Sequence, residues 1–352
     1  MAKAMSKVMN RVKQKSPSRQ VLTHPWQWVD WLYLQTSKGK LFSDGWGDTE
    51  LIAKVQKDSQ AFTKPANITP VFCAVEAADN QAIRRYDYEF LSPVAGLPDE
   101  IKTARGCLIT PANVDSIYAT PVCLSMPGSG EEGYNRRIKA LAEPLAKQGI
   151  STLILENPFY GSRRRKGQDK HFVATVSDFL LMFYSAIEEC KALANHWLVH
   201  GQNRVGLTGL SMGGQAVSLV ATQMDNPLAV IPGLAPSSVA EQYSFGYLSV
   251  VCDWRALSSG SGKQDEHDAR TKLAKLLEIG DITNFPVPHH SICSIINAKN
   301  DTYIPLYLSQ TFVDHWPHST VKLISGGHIS SILFNNKPIV DEITRTLAIL
   351  PG

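Results

Sequence analysis

The residues able to do covalent chemistry sit in the second half of the chain. Gly209-Leu210-Ser211-Met212-Gly213 has the Gly-x-Ser-x-Gly spacing of a serine nucleophile placed on a strand-to-helix turn. The spacing has a physical cause. So tight a turn leaves no room for flanking side chains, and glycine-sized neighbours let the serine adopt a strained backbone conformation. The turn lifts the hydroxyl to the mouth of a sheet, at a helix N-terminus whose positive end favours developing negative charge. Arg204–Leu207 reads as the strand before the turn, and Gly213-Gly214-Gln215-Ala216-Val217 as a small-residue helix behind it.

A serine hydroxyl needs a base, and the base needs an orienting carboxylate. Around such a turn the partners follow in chain order, acid then base, each after a strand. Asp301 follows the apolar run Ile292–Ala298, and His328 follows Val321–Ile324 within Gly326-Gly327-His328. Both therefore fall at strand C-terminal ends, where open α/β sheets bind ligands. Among the ten histidines, His289 and His290 precede a strand, and His315 and His318 fall on a helix end. Asp253 and Asp314 compete for the acid's role, but neither follows a strand. The oxyanion donors should be the Met212 N–H and a second amide from Pro127-Gly128-Ser129-Gly130, with Gly128 and Ser129 as candidates. The alternative for that loop is an ordinary Gly/Ser turn.

These residues need a scaffold. Val71–Val75, Tyr86–Leu91, Gly106–Thr110 and Pro121–Met126 are short β-rich runs bounded by turn residues. Strand and helix then alternate: Thr152–Leu155 before the amphipathic run Val173–Leu198, Arg204–Leu207 before the helix near Ser211, then Ala229–Ile231, Ile292–Ala298 and Val321–Ile324. Antiparallel strands leading into βαβα alternation predict an α/β fold with a mainly parallel central sheet flanked by helices. Residues 237–288 break the rhythm and read as an inserted cap, with Trp254 as an acyl-chain wall or an anchor of the cap. An aromatic helical segment carrying Trp26, Trp28, Trp31 and Tyr33 precedes the strands.

Composition narrows the class. The 352 residues are 43% hydrophobic and 19% charged, with mean hydropathy −0.13, enough apolar material for a large core. Charges interrupt every apolar run, so no helical membrane span is expected. The net charge is +3, yet Lys3, Lys7, Arg11, Lys13, Lys15 and Arg19 meet no acid in residues 1–20, leaving a mildly acidic body. Such a body argues against nucleic-acid binding. The first twenty residues lack the apolar stretch of a secretory signal and form a short basic amphipathic stripe, which reads as a flexible tail, a mitochondrial transit segment or a membrane-surface contact. The six cysteines show no CxxC or Cys/His spacing, which predicts reduced thiols and an intracellular location, cytoplasmic or mitochondrial. Arg163-Arg164-Arg165-Lys166 is a second cationic run. It follows a strand on the expected side of Ser211, so Arg163 and Arg164 are candidates to attract an anionic head group or a phospholipid surface.

Taken in order, Gly45-Trp46-Gly47, Pro127-Gly128-Ser129-Gly130 with Tyr134 and Arg136-Arg137, Leu155–Gly161, Thr208–Gly214, Asp253-Trp254-Arg255, Asp301–Pro305 and Gly326–Ser330 resemble the α/β-hydrolase domain-containing protein 18 family. Gln215 stands where that family often has His, and the long polar insertion of its animal members is missing. The resemblance runs from the segment after the tail to the last block. It implies the α/β-hydrolase fold, a hydrolase domain over residues 21–352, the triad Ser211, Asp301 and His328, and ester or lipid substrates with no metal or organic cofactor. The reading is a serine ester hydrolase acting through an acyl-enzyme. An acyltransferase with the same triad and a non-catalytic binding protein are the alternatives.

Overall fold

The computed structural model describes residues 22–36, 39–61, 63–75, 82–258 and 262–350. The expected basic tail lies outside them. Nine strands form one sheet in the order β1-β2-β3-β5-β4-β6-β7-β8-β9. They are β1 Val71–Val75, β2 Ile83–Leu91, β3 Thr103–Pro111, β4 Val122–Met126, β5 Ser151–Leu155, β6 Val205–Leu210, β7 Ala229–Gly233, β8 Ile292–Ala298 and β9 Thr320–Ile324. The first three pair antiparallel, and β3 pairs antiparallel with β5. From β5 to β9 every pairing is parallel.

The helices that matter for the site are α1 Pro25–Gln35, α2 Thr49–Gln60, α3 Val176–Val199, α4 Met212–Ala221, α5 Lys263–Leu277, α6 Leu306–His315, α7 His328–Phe334 and α8 Asn336–Ala348. Both faces of the parallel half are covered, so its strands are continuous apolar runs rather than alternating ones: β4, β5, β6 and β7 are buried at every position. One core joins α2, α3 and α4 to the sheet around Trp197, Val217 and Leu207. A second lies on the opposite face, where α8 presses Ile339, Ile343 and Leu347 against Ile231 and Ile296. The long helix α3 starts where the Thr175 hydroxyl accepts from the Asp178 N–H and buries most of its side chains between sheet and solvent-facing helices.

Topology decides where a site can form. The chain lays β5 on one side of β4, then crosses back to lay β6 on the other, which opens a crevice at the carboxyl ends of β4 and β6. The register pairs Met126 with Gly209 and Ala298 with Ile324. The loops after β4 and β6 are therefore neighbours, as are those after β8 and β9.

The segment between β7 and β8, expected as a cap over 237–288, holds the short helices Ala240–Ser244, Tyr247–Val251 and Trp254–Leu257 followed by α5. Among the described residues no helix is long and apolar enough to cross a membrane. All six cysteines are free thiols, five of them buried.

Candidate active site

Ser211 sits between β6 and α4 with φ 57° and ψ −121°, a conformation that a non-glycine residue holds only when its surroundings force it. Those surroundings are visible. The Ser211 N–H donates to the Gly233 carbonyl at 2.8 Å, tying the turn to β7. A Cβ on Gly209 would lie 2.4 Å from the Gly213 backbone, and one on Gly213 would lie 2.6 Å from the Met126 carbonyl. The two glycines of the motif are thus required by close approach of backbone to backbone.

His328 opens α7 directly after β9, and its Nδ1 lies 2.7 Å from Asp301 Oδ2. Both side chains are buried. The other Asp301 oxygen accepts the Ile304 N–H at 2.7 Å, which fixes the carboxylate plane. Burial alone disfavours a charged imidazole. The facing charge and hydrogen bond of Asp301, with a smaller contribution from the charge of Asp30, outweigh it and hold the His328 pKa above its ordinary value. The competing groups are occupied elsewhere. Asp253 caps Trp254–Leu257 by accepting the Ala256 N–H, Asp314 accepts from Gln310, and His290 and His315 bond to the backbone carbonyls of Met224 and Phe285.

Ser211 and His328 line one cavity of about 390 Å³, a size suited to a small organic ligand. Leu34, Leu41, Phe172, Val251 and Leu333 supply much of its apolar wall, while Glu131, Glu132, Arg136 and His171 make one polar side. The segment between β7 and β8 contributes Tyr243, Leu248 and Val251. Tyr33 of α1 lines the cavity and is exposed, and α1 and α7 also expose Trp28, Leu32 and Phe334.

The loop after β4 is held by side chains that its sequence does not advertise. The Gly128 N–H donates to Glu131 Oε2 at 3.1 Å, and the Gly130 N–H donates to the Tyr160 hydroxyl at 3.1 Å. The Ser129 hydroxyl meets the Tyr243 hydroxyl at 2.9 Å. Gly128 is accordingly not a free donor: its amide is satisfied within its own loop. Ser129 lines the cavity together with Ser211, and Met212 is the first residue of α4. Arg137 is buried beneath this loop, where its Nη1 donates to the Ser125 and Leu155 carbonyls at 2.8 and 2.9 Å and bridges the ends of β4 and β5.

Three expected substrate contacts lie elsewhere. Arg163 is 1% exposed and forms a bidentate pair with Glu189 at 2.7 Å, with further bonds to the Ile101 and Glu156 carbonyls. It is a structural ion pair, because the turn after β5 folds the side chain inward against α3. Arg164 pairs with Glu132 at 3.3 Å, and Arg165 with Glu100 and Asp178, so the cationic run is largely neutralised by its own neighbours and none of it lines the cavity. Trp254 is also outside the cavity wall. Its indole N–H donates to the Ser249 carbonyl at 2.8 Å and its ring lies under the Arg270 guanidinium at 4.0 Å, both contacts being within the segment between β7 and β8.

One residue in the site went unread in the sequence. Asp30, on α1, is fully buried and reaches the backbone beside both Asp301 and His328. It lies 298 residues from His328, and nothing in its local sequence signals the contact.

The fold and the geometry of the turn define an α/β-hydrolase. Two acetyl xylan esterases of known structure share the fold. The enzyme from Paenibacillus sp. R4 superposes with a TM-score of 0.61 at 14% identity, over 87% of this chain and 97% of that one. Acetyl Xylan Esterase 1 from Thermoanaerobacterium sp. JW/SL YS485 gives 0.58 at 13% identity, over 87% and 96%. At such identities the likeness speaks for the fold alone. The sequence matches the alpha/beta hydrolase domain containing 18 family over residues 39–275 and 259–349, and the chain belongs to that family.

Proposed function

We propose that this protein is a serine ester hydrolase in which Ser211 is the nucleophile, His328 the general base and Asp301 the orienting acid. The observation that carries the reading is the strained Ser211 turn opening into the same cavity as a buried His328 bonded to Asp301. His328 Nε2 takes the hydroxyl proton as Ser211 Oγ attacks the ester carbonyl. The tetrahedral oxyanion is met by the Met212 and Ser129 N–H groups at the start of α4 and in the loop after β4. His328 then returns the proton to the departing alcohol, and a water molecule repeats the sequence to release the acid. Asp301 holds the Nδ1 tautomer throughout.

The apolar wall suits an acyl chain, which favours a carboxylic or lipid ester over a small polar one. The experiment is an ester and lipid substrate screen of wild type beside Ser211→Ala. The variant should lose covalent labelling by a fluorophosphonate and at least about a thousandfold of turnover. Retained labelling in the variant would remove Ser211 from the nucleophile's place. Product analysis with added alcohol distinguishes hydrolysis from acyl transfer on the same triad.

A further inference from the structure

We infer that Asp30, carried by the N-terminal helix α1, is a positioning residue for His328, setting both where the imidazole stands and the field it feels. The inference rests on the triad proposed above. Asp30 Oδ2 accepts the N–H of Thr302 at 3.0 Å and of His328 at 2.9 Å, and Oδ1 accepts the N–H of Ile329 at 2.9 Å. One carboxylate therefore joins the residue that follows Asp301 to the backbone of His328 itself. A carboxylate is acceptor-only with room for several donors, which fits three converging amides. A further bond runs from the Tyr303 hydroxyl to the Asp30 backbone carbonyl at 2.8 Å.

The Gly326-Gly327-His328 sequence is shaped to admit this group. A Cβ on Gly327 would lie 2.7 Å from Asp30 Oδ2, 2.9 Å from Oδ1 and 2.9 Å from the Trp26 carbonyl of α1. The glycine before His328 is thus the space in which the carboxylate sits.

Among the described residues Asp30 has no cationic partner, so its charge is felt by what surrounds it. The groups facing His328 are Asp301 from the loop after β8, Asp30 from α1 and the Tyr303 ring, 4.7 Å from the imidazole. Elsewhere on the cavity lining Glu131 is paired with Arg136, Glu132 with Arg164, and His171 lies beside them. Arg136 also reaches α7 by donating to the Ile332 carbonyl at 3.3 Å. Those two acids each have a cationic partner, whereas Asp30 adds a second negative charge beside the imidazolium that forms during catalysis.

The test uses the full chain and the variants Asp30→Asn and Gly327→Ala. On a soluble short-chain ester that wild type turns over, Asp30→Asn should lower kcat by about ten- to a hundredfold with KM little changed. The acid limb of its kcat/KM profile should move to lower pH, because an imidazole that has lost a neighbouring anion gives up its proton more readily. Gly327→Ala, which pushes α1 and its carboxylate away from His328 without removing the charge, should move the limb the same way by less, and it carries the test if Asp30→Asn does not fold. A limb left at the wild-type pH in a folded variant overturns the inference whatever happens to the rate, since a purely structural brace would slow turnover without shifting the titration. The same shift is read without turnover from the His328 Cε1 resonance, assigned by its loss in His328→Gln. If wild type and Ser211→Ala treat every ester alike, the hydrolase reading fails. The resonance then judges Asp30 separately: a His328 titration unchanged in Asp30→Asn overturns the inference, and one moved to lower pH supports it.

Discussion

Arg163 and Asp30 are both buried charges, one beside the loop after β5 and the other beside the loops after β8 and β9. They are compensated in opposite ways. Arg163 meets Glu189 in a two-bonded pair, so the fields of the two groups largely cancel beyond their immediate surroundings. Among the described residues Asp30 meets only backbone N–H dipoles, which satisfy its lone pairs but leave its net charge in place. A charge closed by a countercharge is a brace. One closed by dipoles also acts on the titration of its neighbours, and here the neighbour is His328.

The largest effect that sharpens this contrast comes from the carboxylate bonded directly to the imidazole. Asp301→Asn should keep the fold and lower turnover by about four decades, since the amide presents the wrong partner to Nδ1. It bounds what any acid near His328 can do, and Asp30→Asn must fall well short of it. If Asp253→Asn proves crippling while Asp301→Asn is nearly silent, the acid has been misassigned.

The brace is tested next. Arg163→Ala strands Glu189, which is fully buried, and should cost about 3–5 kcal/mol in urea unfolding. Turnover per folded molecule should not change. Replacing both partners, as in Arg163→Met with Glu189→Leu, should recover most of that stability, because two apolar side chains leave no charge unpaired. A double variant as unstable as the single one would show that the carbonyl bonds of Arg163, not its charge, hold the turn.

The smallest effect belongs to the exposed neighbour. Arg164 is 41% exposed in its pair with Glu132, and Arg164→Gln should alter stability by less than about 0.5 kcal/mol. The ratio of rates on anionic and neutral esters should also be unchanged. A ratio that moves would return the cationic run to substrate choice, acting through Glu132 on the cavity wall.

Much of this protein is legible in its sequence because the signals are short-range. Each of the nine strands contains a β-rich run visible in the sequence, and the Gly209–Gly213 spacing marks a turn in which Gly209 must clear the Gly213 backbone. That Asp301 and His328 each follow a strand is equally local. Their meeting at 2.7 Å needed the register that places β8 beside β9. Side-chain direction was beyond such reading. Four consecutive cations look alike on paper, yet the turn after β5 sends Arg163 inward and Arg164 outward. The loop after β4 likewise appears to offer Gly128, until Glu131 folds back to take its amide. Asp30 was the least legible of all, because the backbone groups that need it lie 272 and 298 residues away. Sequence alone determined the order of elements, which arises from neighbours along the chain, and it marked the serine turn by its glycine spacing. The strands β4 and β7, packed against that turn, hold Ser211 in its strained conformation. Which buried charge stabilises the scaffold and which one faces the imidazole was decided only by packing, which brings a helix from one end of the chain against two loops from the other.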